Sequence, residues 1–534
     1  MPSRRSYFLV PVIIAACSIA AGTFVSRNVS AASPAEDAAS QSMKSFTSVY
    51  DVVEQNFADK VDPDKAIYKG AIPGMLRTLD PHSNFFDPKE YAALREDQRG
   101  QYYGVGMQVG PRNGKTMVMW PFEGSPAYRA GLRPADTIAM VNDKKTDGLN
   151  TTEIADLLKG PRGTKVQVTV NREGQTKPIS YDIIRDAIPR FSVPEAFFLK
   201  PGIAYITITQ FSETTSKELE DKMKQLGENN IKGLVLDLRG NPGGLLNEGV
   251  EVAGHFLKRN DLVVSHHGRA QPNKNYYAHV DNAGHNYPVV VVVNRSSASA
   301  AEIVTGAMQD HDRAWVLGET TFGKGLVQTV FPLSENTGLA LTTAHYYTPS
   351  GRLIQRDYSS ISFLDYYYHN TGDSKNLADV KMTDSGRTVY GGGGITPDEK
   401  FEPSKLNKFQ IQVLRNYGFF NFSAHYFGPK ADARMPKGWE PDEALVNEFH
   451  QYLLDNKVEF TEADFTANHQ WIKEQLKHEM YITAFSYEQS VKVGIEQDPE
   501  IARAVDAMPK ATALLENAKK LLVQRIAQQE QAAR

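Results

Sequence analysis

Two residues of the chain could together attack a carbonyl group. Ser299 begins a helical pattern after an apolar run, and Lys324 lies between two glycines 25 residues later. At a helix start the N–H of the next residue, here Ala300, points at an oxyanion formed on the attacked carbonyl, and the helix dipole adds favourable potential. Burial lowers the pKa of a lysine, so its neutral amine can accept a proton near neutral pH. The pair could therefore supply a serine nucleophile and a lysine general base.

Each of these residues also fits a purely structural interpretation when it is taken alone. The segment from Ser299 to Glu302 matches a capping box, in which the serine only caps a helix. The Gly-Lys-Gly around Lys324 matches a turn with a surface lysine, because glycine is common in turns. A third segment, Arg239 to Gly244, follows a buried strand, and its last two glycines fit either a tight turn or a close approach to a ligand. Sites in open parallel sheets form beyond the carboxyl ends of strands, so the three segments together favour catalysis.

The sequence lacks the motifs of other common hydrolases and of nucleotide-binding proteins. It contains no His-Glu-x-x-His zinc helix, no Gly-x-Ser-x-Gly elbow and no Gly-x-x-x-x-Gly-Lys-Ser/Thr loop. His266 and His267 are adjacent, so in a strand they face opposite sides and do not share a metal. The sequence therefore gives no support for a histidine-based or metal-dependent hydrolase. The net charge of -4 over 534 residues gives no argument for nucleic acid.

An α/β fold must position the three segments. Between residues 187 and 402, strand-like runs at 203–208, 234–238 and 289–293 alternate with helical patterns. The continuous valine run at 289–293 is typical of a central parallel strand covered on both faces. This alternation predicts a catalytic α/β domain over residues 187–402.

The remaining segments differ in composition. Residues 32–40 predict a flexible lead, and 41–95 predict a helical N-terminal segment, in which Phe46, Val49, Val52 and Val53 have helical spacing. Residues 357–392 are polar and predict an irregular insertion. Residues 403–534 predict a mainly helical C-terminal region, to which the sequence assigns no chemistry.

Residues 96–186 predict a small β module that resembles a PDZ domain. In that family a glycine-containing loop offers backbone N–H groups to the C-terminal carboxylate of a peptide, which then pairs as an added strand. Ala135 departs from the family's usual glycine, and a β module without a ligand is the alternative. The residues of the corresponding loop are Tyr103, Gly104, Val105, Gly106 and Met107.

Several separated motifs together resemble the carboxyl-terminal processing peptidases. The resemblance covers roughly residues 41–400, in the family's order of helical lead, PDZ domain and catalytic α/β domain. The motifs are Arg-Gly-Asn-Pro-Gly-Gly at 239–244, Ser-Ala-Ser-Ala-Ala-Glu at 297–302, Thr-Phe-Gly-Lys-Gly at 321–325, Tyr-Tyr-Thr-Pro-Ser-Gly at 346–351 and Gly-Ile-Thr-Pro-Asp at 394–398.

This resemblance implies a role for each site residue. Ser299 would be the nucleophile, Lys324 the general base, and Gln328 the residue that positions the lysine, while Ala300 and Gly244 would supply the oxyanion N–H groups. It further implies a fold related to crotonase and ClpP, catalysis without metal or cofactor, and cleavage of protein or peptide substrates with apolar C-termini. The alternative is a non-catalytic PDZ-bearing envelope binding or scaffold protein, which would not need the serine, lysine and glutamine that are all present.

The first 31 residues predict a signal peptide or an N-terminal anchor. Two arginines precede an apolar run, and Val-Ser-Ala at 29–31 fits a cleavage site. The run is also long enough for a retained spanning helix, and residues 14–17 are similar to a lipobox ending at Cys17, the only cysteine. If the segment is removed, the chain has no thiol for a disulfide or a metal site. These features predict export to the bacterial periplasm or cell envelope, with membrane association if the segment is retained. A homo-oligomer or an adaptor protein stays open.

Overall fold

The computed structural model describes residues 34–270, 272–279, 285–360, 362–368, 376–430 and 434–532. They belong to two compact units that divide after Thr78. The predicted signal segment with Cys17 lies outside the described residues, as does part of the predicted insertion. Within the ranges given above, no helix is both long enough and apolar enough to cross a membrane.

The first unit is helical. Its apolar residues Phe46, Val49 and Val53 lie on the first helix and are exposed. That helix begins at Pro34, so the prediction of a flexible lead is wrong from this residue onward. A proline with acidic residues after it suits the first turn of a helix. The helices are α1 (Pro34–Asn56), α2 (Pro63–Ala66) and α3 (Ile72–Arg77), with a π-helical turn at Ile67–Ala71.

The second unit opens with a short lead and a β module. Alternate residues of its strands, such as Val118, Ile138 and Val166, form a buried core. Ala135 adopts a φ of 67° at the position where glycine is usual, so an L residue occupies the left-handed region there. The elements are β1 (Asn84–Phe86), α4 (Pro88–Arg99), β2 (Gln101–Gly104), β3 (Met107–Arg112), β4 (Lys115–Pro121), α5 (Pro126–Ala130), β5 (Thr137–Val141), β6 (Lys144–Lys145), α6 (Thr151–Leu158), β7 (Lys165–Asn171), β8 (Ile179–Ile184) and β9 (Asp186–Pro189).

A six-stranded sheet forms the centre of the second unit, in the order β10-β11-β12-β15-β16-β21. All neighbouring pairs except β10–β11 are parallel, so β12, β15 and β16 end at the same edge. Every residue of β12 and β15 is buried, as expected for strands covered on both faces. The elements of this layer are β10 (Ala196–Lys200), β11 (Ile203–Thr207), α7 (Thr215–Leu226), β12 (Gly233–Asp237), α8 (Leu246–Gly254), β15 (Val289–Val293), α9 (Ala300–Asp310), β16 (Trp315–Gly318) and β21 (Glu399–Lys400).

A second, antiparallel sheet carries the strand that follows Lys324. It runs in the order β1-β18-β13-β14, with β17 paired to β18. The other strands of this sheet are β13 (Leu262–His267), β14 (Lys274–Tyr277), β17 (Leu326–Pro332) and β18 (Gly338–Tyr347). The segment 357–392 was predicted to be irregular, but part of it forms a helix and a hairpin, which is a correction. This segment contributes α10 (Phe363–Tyr368) and the separate hairpin of β19 (Asn376–Met382) and β20 (Thr388–Gly391).

The C-terminal region is helical and has two different cores. Its first helices pack around Phe422 and Phe449, whereas Ile501 and Met508 pack on Val290 and its neighbours in the central sheet. The last two helices therefore cover the sheet face opposite α7, α8 and α9. The helices are α11 (Lys408–Arg415), α12 (Gly418–Phe427), α13 (Glu443–Asp455), α14 (Glu462–Ala467), α15 (His469–Ala484), α16 (Tyr487–Glu496), α17 (Pro499–Asp506) and α18 (Met508–Ala532). The predicted α/β class, with a PDZ-like module and helical ends, is confirmed.

Candidate active site

Ser299 is held in a strained backbone conformation between β15 and α9. Its φ of 56° and ψ of -115° lie where non-glycine residues are rare, and such a conformation costs about 1–3 kcal/mol. The Ser299 N–H donates to Glu302 Oε2 at 2.9 Å, and the Ser299 carbonyl accepts from the Ile303 N–H at 3.0 Å. The surrounding structure therefore imposes this conformation on a serine at the carboxyl edge of the parallel sheet.

Lys324 lies in the loop between β16 and β17 and is half-buried. Its Nζ donates to Gln328 Oε1 at 3.0 Å, so the predicted lysine and glutamine are in contact. Burial lowers the pKa of Lys324 below its usual value of 10.5, while the charges of Asp80 and Glu302 act in the opposite direction. A lowered pKa increases the fraction of neutral amine at a given pH, as a general base requires.

One cleft brings the predicted residues together. Ser299, Lys324, Gln328 and Gly244 all line a cleft of about 380 Å³. Because β12, β15 and β16 are parallel and adjacent, their following loops meet at this edge. The remaining lining is largely apolar and includes Phe86, Leu94, Phe211, Leu245, Leu246, Ile303, Leu326, Val330 and Ala340.

The loop after β12 packs directly against the serine. Gly243 has a φ of 94°, and a Cβ at this position would lie 2.5 Å from the Cβ of Ser299. Asn241 holds the loop, because its Oδ1 accepts from the Gly243 N–H and its Nδ2 donates to the Ile208 carbonyl, both at 2.8 Å. Glycine is therefore required at 243 by close contact as well as by its φ.

The N–H groups of Gly244 and Ala300 have no hydrogen-bond partner among the described residues. Gly244 is fixed by its neighbours, since the Phe211 N–H donates to the Gly243 carbonyl and the Leu245 N–H donates to the Phe211 carbonyl, both at 2.9 Å. Gly244 lines the cleft, and Ala300 begins the helix after the serine. These two fixed N–H donors could bind an oxyanion.

Glu302 joins the serine loop to the lysine loop, a role that the sequence did not reveal. The fully buried carboxylate accepts from Thr321 Oγ1 at 2.5 Å, from the Gly323 N–H at 2.7 Å, and from the N–H groups of Lys324 and Ser299 at 2.9 Å each. Burial raises the pKa of Glu302, whereas the four donors favour its ionised form. The capping-box pattern signalled only the contact with Ser299.

Tyr346 is a second residue whose function the sequence did not reveal. Its buried hydroxyl lies 2.5 Å from the Lys324 carbonyl oxygen and 3.1 Å from the Ser299 carbonyl oxygen. A phenol has one proton, so it donates to one of these carbonyls at a time. The sequence contained it only as part of a family motif, because its partners lie 22 and 47 residues away.

Arg239 connects the loop after β12 to the C-terminal region. Its guanidinium donates to Asp237 Oδ2 at 2.7 Å and to Glu500 Oε2 at 2.8 Å, and it lies 2.8 Å from Asp498 Oδ2. Glu500 and Asp498 lie at the start of α17. The C-terminal helical region therefore supports one wall of the cleft.

The predicted peptide loop, Tyr103–Met107, belongs to the β module and is not among the residues that line the cleft. Gly106 has a φ of 78°, and its carbonyl accepts from Ser125 Oγ at 2.6 Å. Strand β3, which follows the loop, pairs only with β4 among the strands described, so its other edge is open. α6 packs against β3. An open edge next to a helix is the geometry in which an extended peptide adds as a strand.

No group of three or more His, Cys, Asp or Glu side chains with metal-binding geometry occurs in the part of the chain covered by the structure. His266 and His267 lie in β13, with His266 buried and His267 exposed. The two adjacent histidines thus have different environments, as expected for neighbours in a strand.

Comparison with known proteins assigns the chain to a family. Residues 202–359 match the family model of peptidase family S41, 117–172 match the PDZ domain, and 15–90 match the activating protease CtpB N-terminal domain. The chain is 38% identical over 315 residues to a carboxy-terminal-processing protease of Bartonella bacilliformis, covering 58% of this chain and 72% of that protein. It is 32% identical over 407 residues to carboxy-terminal processing protease CtpA of Bacillus subtilis, covering 73% and 86%.

A solved structure is also similar. The photosystem II D1 C-terminal processing protease is 28% identical, with 68% of this chain and 88% of that chain covered and a TM-score of 0.36. The family assignment rests on the two bacterial relatives and on the S41 and PDZ matches, and not on this solved structure. The chain belongs to the carboxy-terminal processing proteases, serine-type peptidases of family S41 that carry a PDZ domain.

Proposed function

We propose that the protein is an endopeptidase in which Ser299 is the nucleophile and Lys324 the general base. The observation that carries this proposal is that one cleft contains a strained serine and a half-buried lysine with a lowered pKa. Gln328 holds the lysine amine through its Oε1.

The reaction proceeds through an acyl-enzyme. Lys324 Nζ takes the proton from Ser299 Oγ as this oxygen bonds to the substrate carbonyl carbon. The carbonyl oxygen becomes negative and accepts from the N–H groups of Ala300 and Gly244. When the C–N bond breaks, the lysine gives its proton to the leaving amine. Water then attacks the ester, its proton passes to Lys324 and on to Ser299, and the new C-terminus leaves.

The PDZ domain would supply the substrate. We propose that its loop Tyr103–Met107 binds the C-terminal carboxylate and that the peptide pairs with the open edge of β3. Tethering the tail raises the effective concentration of the rest of the substrate at the cleft. The apolar lining of the cleft favours small or medium apolar side chains next to the cut bond.

Cleavage of a peptide that ends in small apolar residues tests the proposal. We expect Ser299→Ala and Lys324→Ala each to lower kcat/KM by about a thousandfold or more, because residues of such a unit act together. Ser296→Ala is the matched control, since Ser296 is exposed in the same loop. Residual activity within about tenfold of wild type in either variant would contradict the assignment. Binding of the peptide without cleavage by the wild type would support a binding protein instead.

The N-terminal segment carries a separate proposal. We infer from the residues before 32 that the protein is exported to the cell envelope, with membrane association if the segment is retained. Mass spectrometry of the protein from its native host would show cleavage after Ala31, retention or lipidation at Cys17, and recovery of the full chain from the cytoplasm would contradict export. Assembly with itself or with an adaptor stays a prediction.

A further inference from the structure

The turn at Asp80–Ser83 is anchored to the second sheet by its own side chains. Asp80 Oδ1 accepts from the N–H groups of His82 and Ser83, both at 2.7 Å, and Asp80 Oδ2 accepts from Ser83 Oγ at 2.6 Å. Ser83 Oγ in turn accepts from the Thr342 N–H at 3.1 Å. The turn is therefore fixed relative to β18 and the neighbouring β17, which begins two residues after Lys324.

This turn sets which end of the Gln328 amide faces the lysine. Gln328 Nε2 donates to the main-chain carbonyl of His82 at 2.5 Å. A carbonyl can only accept, so the amide nitrogen must face His82 and the amide oxygen must face Lys324. The lysine amine then donates to Gln328 Oε1, which leaves its lone pair free to accept a proton from another direction.

The His82 ring lies in a chain of hydrogen bonds whose direction is fixed at one end by the lysine loop. The Gly325 N–H, directly after Lys324, donates to Gln355 Oε1 at 2.8 Å. The other end of this amide, Nε2, must therefore donate, and it does so to the Tyr366 hydroxyl at 3.1 Å. Tyr366 passes its own proton on to His82 Nε2 at 2.9 Å.

The other end of the chain fixes the same direction. The Tyr367 hydroxyl donates to the Pro81 carbonyl at 3.0 Å, so its oxygen accepts from His82 Nδ1 at 3.3 Å. His82 is then neutral with its proton on Nδ1. A second proton on Nε2 would face the Tyr366 oxygen, which already accepts from Gln355, and would leave the Tyr366 proton without its acceptor.

The surroundings of His82 also favour the neutral ring. Burial lowers the pKa of His82 to about 4, the charges of Lys324 and Arg356 act in the same direction, and Asp80 opposes them. The Arg356 guanidinium lies over the Phe322 and Tyr366 rings, 4.5 and 4.6 Å from their centroids. A positive charge on His82 would be repelled by the Arg356 guanidinium, and by the Lys324 amine whenever that amine is protonated.

We infer that His82, Gln355 and Tyr366 are positioning residues that hold Lys324 from both sides. The chain of hydrogen bonds through the His82 ring ends on the Gly325 N–H, directly after the lysine. The His82 carbonyl orients Gln328, which binds the lysine amine. Tyr366 and Tyr367 belong to α10, so the polar insertion contributes to the catalytic geometry. This inference rests on the proposed role of Lys324 as the base.

Tyr366→Phe tests the inference through its kinetics. The ring remains but the hydroxyl link is lost, so we expect kcat to fall about tenfold with KM within about twofold. The acidic limb of the pH profile of kcat/KM should move up by roughly half a pH unit or more, because a loosened lysine loop admits water and relieves the burial that lowers the Lys324 pKa. Tyr358→Phe is the matched control, since Tyr358 packs edge-on against Tyr366 at 6.2 Å and its hydroxyl is outside the chain of bonds described.

The outcomes separate this inference from the proposed function. Activity retained by Ser299→Ala or Lys324→Ala would overturn the proposed function. If both are inactive while Tyr366→Phe matches wild type in kcat and in its acidic limb, only the present inference fails.

A second measurement does not depend on activity. In the full-length protein labelled with ¹⁵N-histidine, with the His82 signals assigned by His82→Gln, we expect the Nδ1–H tautomer and no protonation between pH 8 and about 5. Tyr366→Phe should keep the Nδ1–H tautomer, because the Tyr367 oxygen still accepts from Nδ1, but should shift the Nε2 signal, since Nε2 loses its hydrogen-bond donor. A wild-type His82 in the Nε2–H form, or one that titrates near its ordinary pKa of 6.5, would overturn the hydrogen-bond chain.

Discussion

At the scale of single residues, Glu302 makes the serine and the lysine loops depend on one carboxylate. Its two oxygens accept four hydrogen bonds, and all four partners are donors. An amide in this place has only one accepting atom and would direct an NH₂ group at donors. Glu302, which the sequence indicated only as a member of a capping box with Ser299, is thus the main connection between the proposed nucleophile and its base.

We predict that Glu302→Gln lowers kcat/KM at least a hundredfold and the free energy of unfolding by about 2–3 kcal/mol, because buried donors lose their acceptor. Peptide cleavage and chemical denaturation measure the two effects. Glu335→Gln, on an exposed turn, is the control for loss of a carboxylate. A Glu302→Gln enzyme with near wild-type kinetics would show that the carboxylate does not position the loops.

Sequence patterns revealed some site residues and not others for a physical reason. Ser299, Lys324 and Gln328 stand in short motifs whose spacing reflects local chain geometry. Tyr346 and His82 act through contacts with residues far away in the sequence: Gln328 lies 246 residues from His82. Such contacts follow from strand order and loop path, which local spacing does not encode.

At the scale of elements, the loop between β12 and α8 is shaped by two glycines with different surroundings. Gly240 and Gly243 both have positive φ, 69° and 94°. A Cβ at Gly240 meets nothing within 4 Å, whereas one at Gly243 would lie 2.8 Å from the Ala298 carbonyl oxygen as well as against Ser299. Substitutions at these two positions therefore distinguish the effect of backbone strain from the effect of steric contact with Ser299.

We predict that Gly243→Ala abolishes peptide cleavage, because the added methyl displaces Ser299, and that Gly240→Ala remains active. Both substitutions cost about 1–2 kcal/mol through the left-handed backbone. Steady-state kinetics together with thermal unfolding compare the variants. Equal activity in the two proteins would mean that the contact between Gly243 and Ser299 is not needed.

Element types were easier to predict than element boundaries and pairings. The valine run at 289–293 indicated the buried strand β15, because burial on both faces needs apolar residues throughout. The segment 357–392 was predicted to be irregular from its polarity. Its helix α10 is stabilised by Tyr366 packing on Phe322 and His82, and such tertiary packing leaves no helical period in the sequence.

At the scale of the whole molecule, the C-terminal region completes the catalytic sheet. Alternate residues of β15 point to opposite layers, Val291 toward α7, α8 and α9, and Val290 toward the last two helices. The sequence predicted these helices but not their place, because amphipathic spacing shows which face is buried and not what covers it. The structure shows that these helices cover one face of the central sheet.

We predict that Ile501→Ala lowers the free energy of unfolding by about 2–4 kcal/mol and lowers the temperature at which peptidase activity is lost, because it opens a cavity on the catalytic sheet. Phe449→Ala, in the separate core of the preceding helices, should cost at least as much by circular dichroism but leave activity intact to a higher temperature. Loss of activity at one temperature in both variants would show that the two cores unfold together.

The ion pair between Arg239 and Glu500 has a consequence for the order of synthesis. The two partners are 261 residues apart, and Glu500 follows Arg239 in the chain. Translation proceeds from the N-terminus, so the loop beside Ser299 emerges from the ribosome long before Glu500, the residue that holds it. The proposed active site therefore lacks this support until Glu500 has been synthesised, and a nascent or truncated chain that stops before Glu500 lacks it as well.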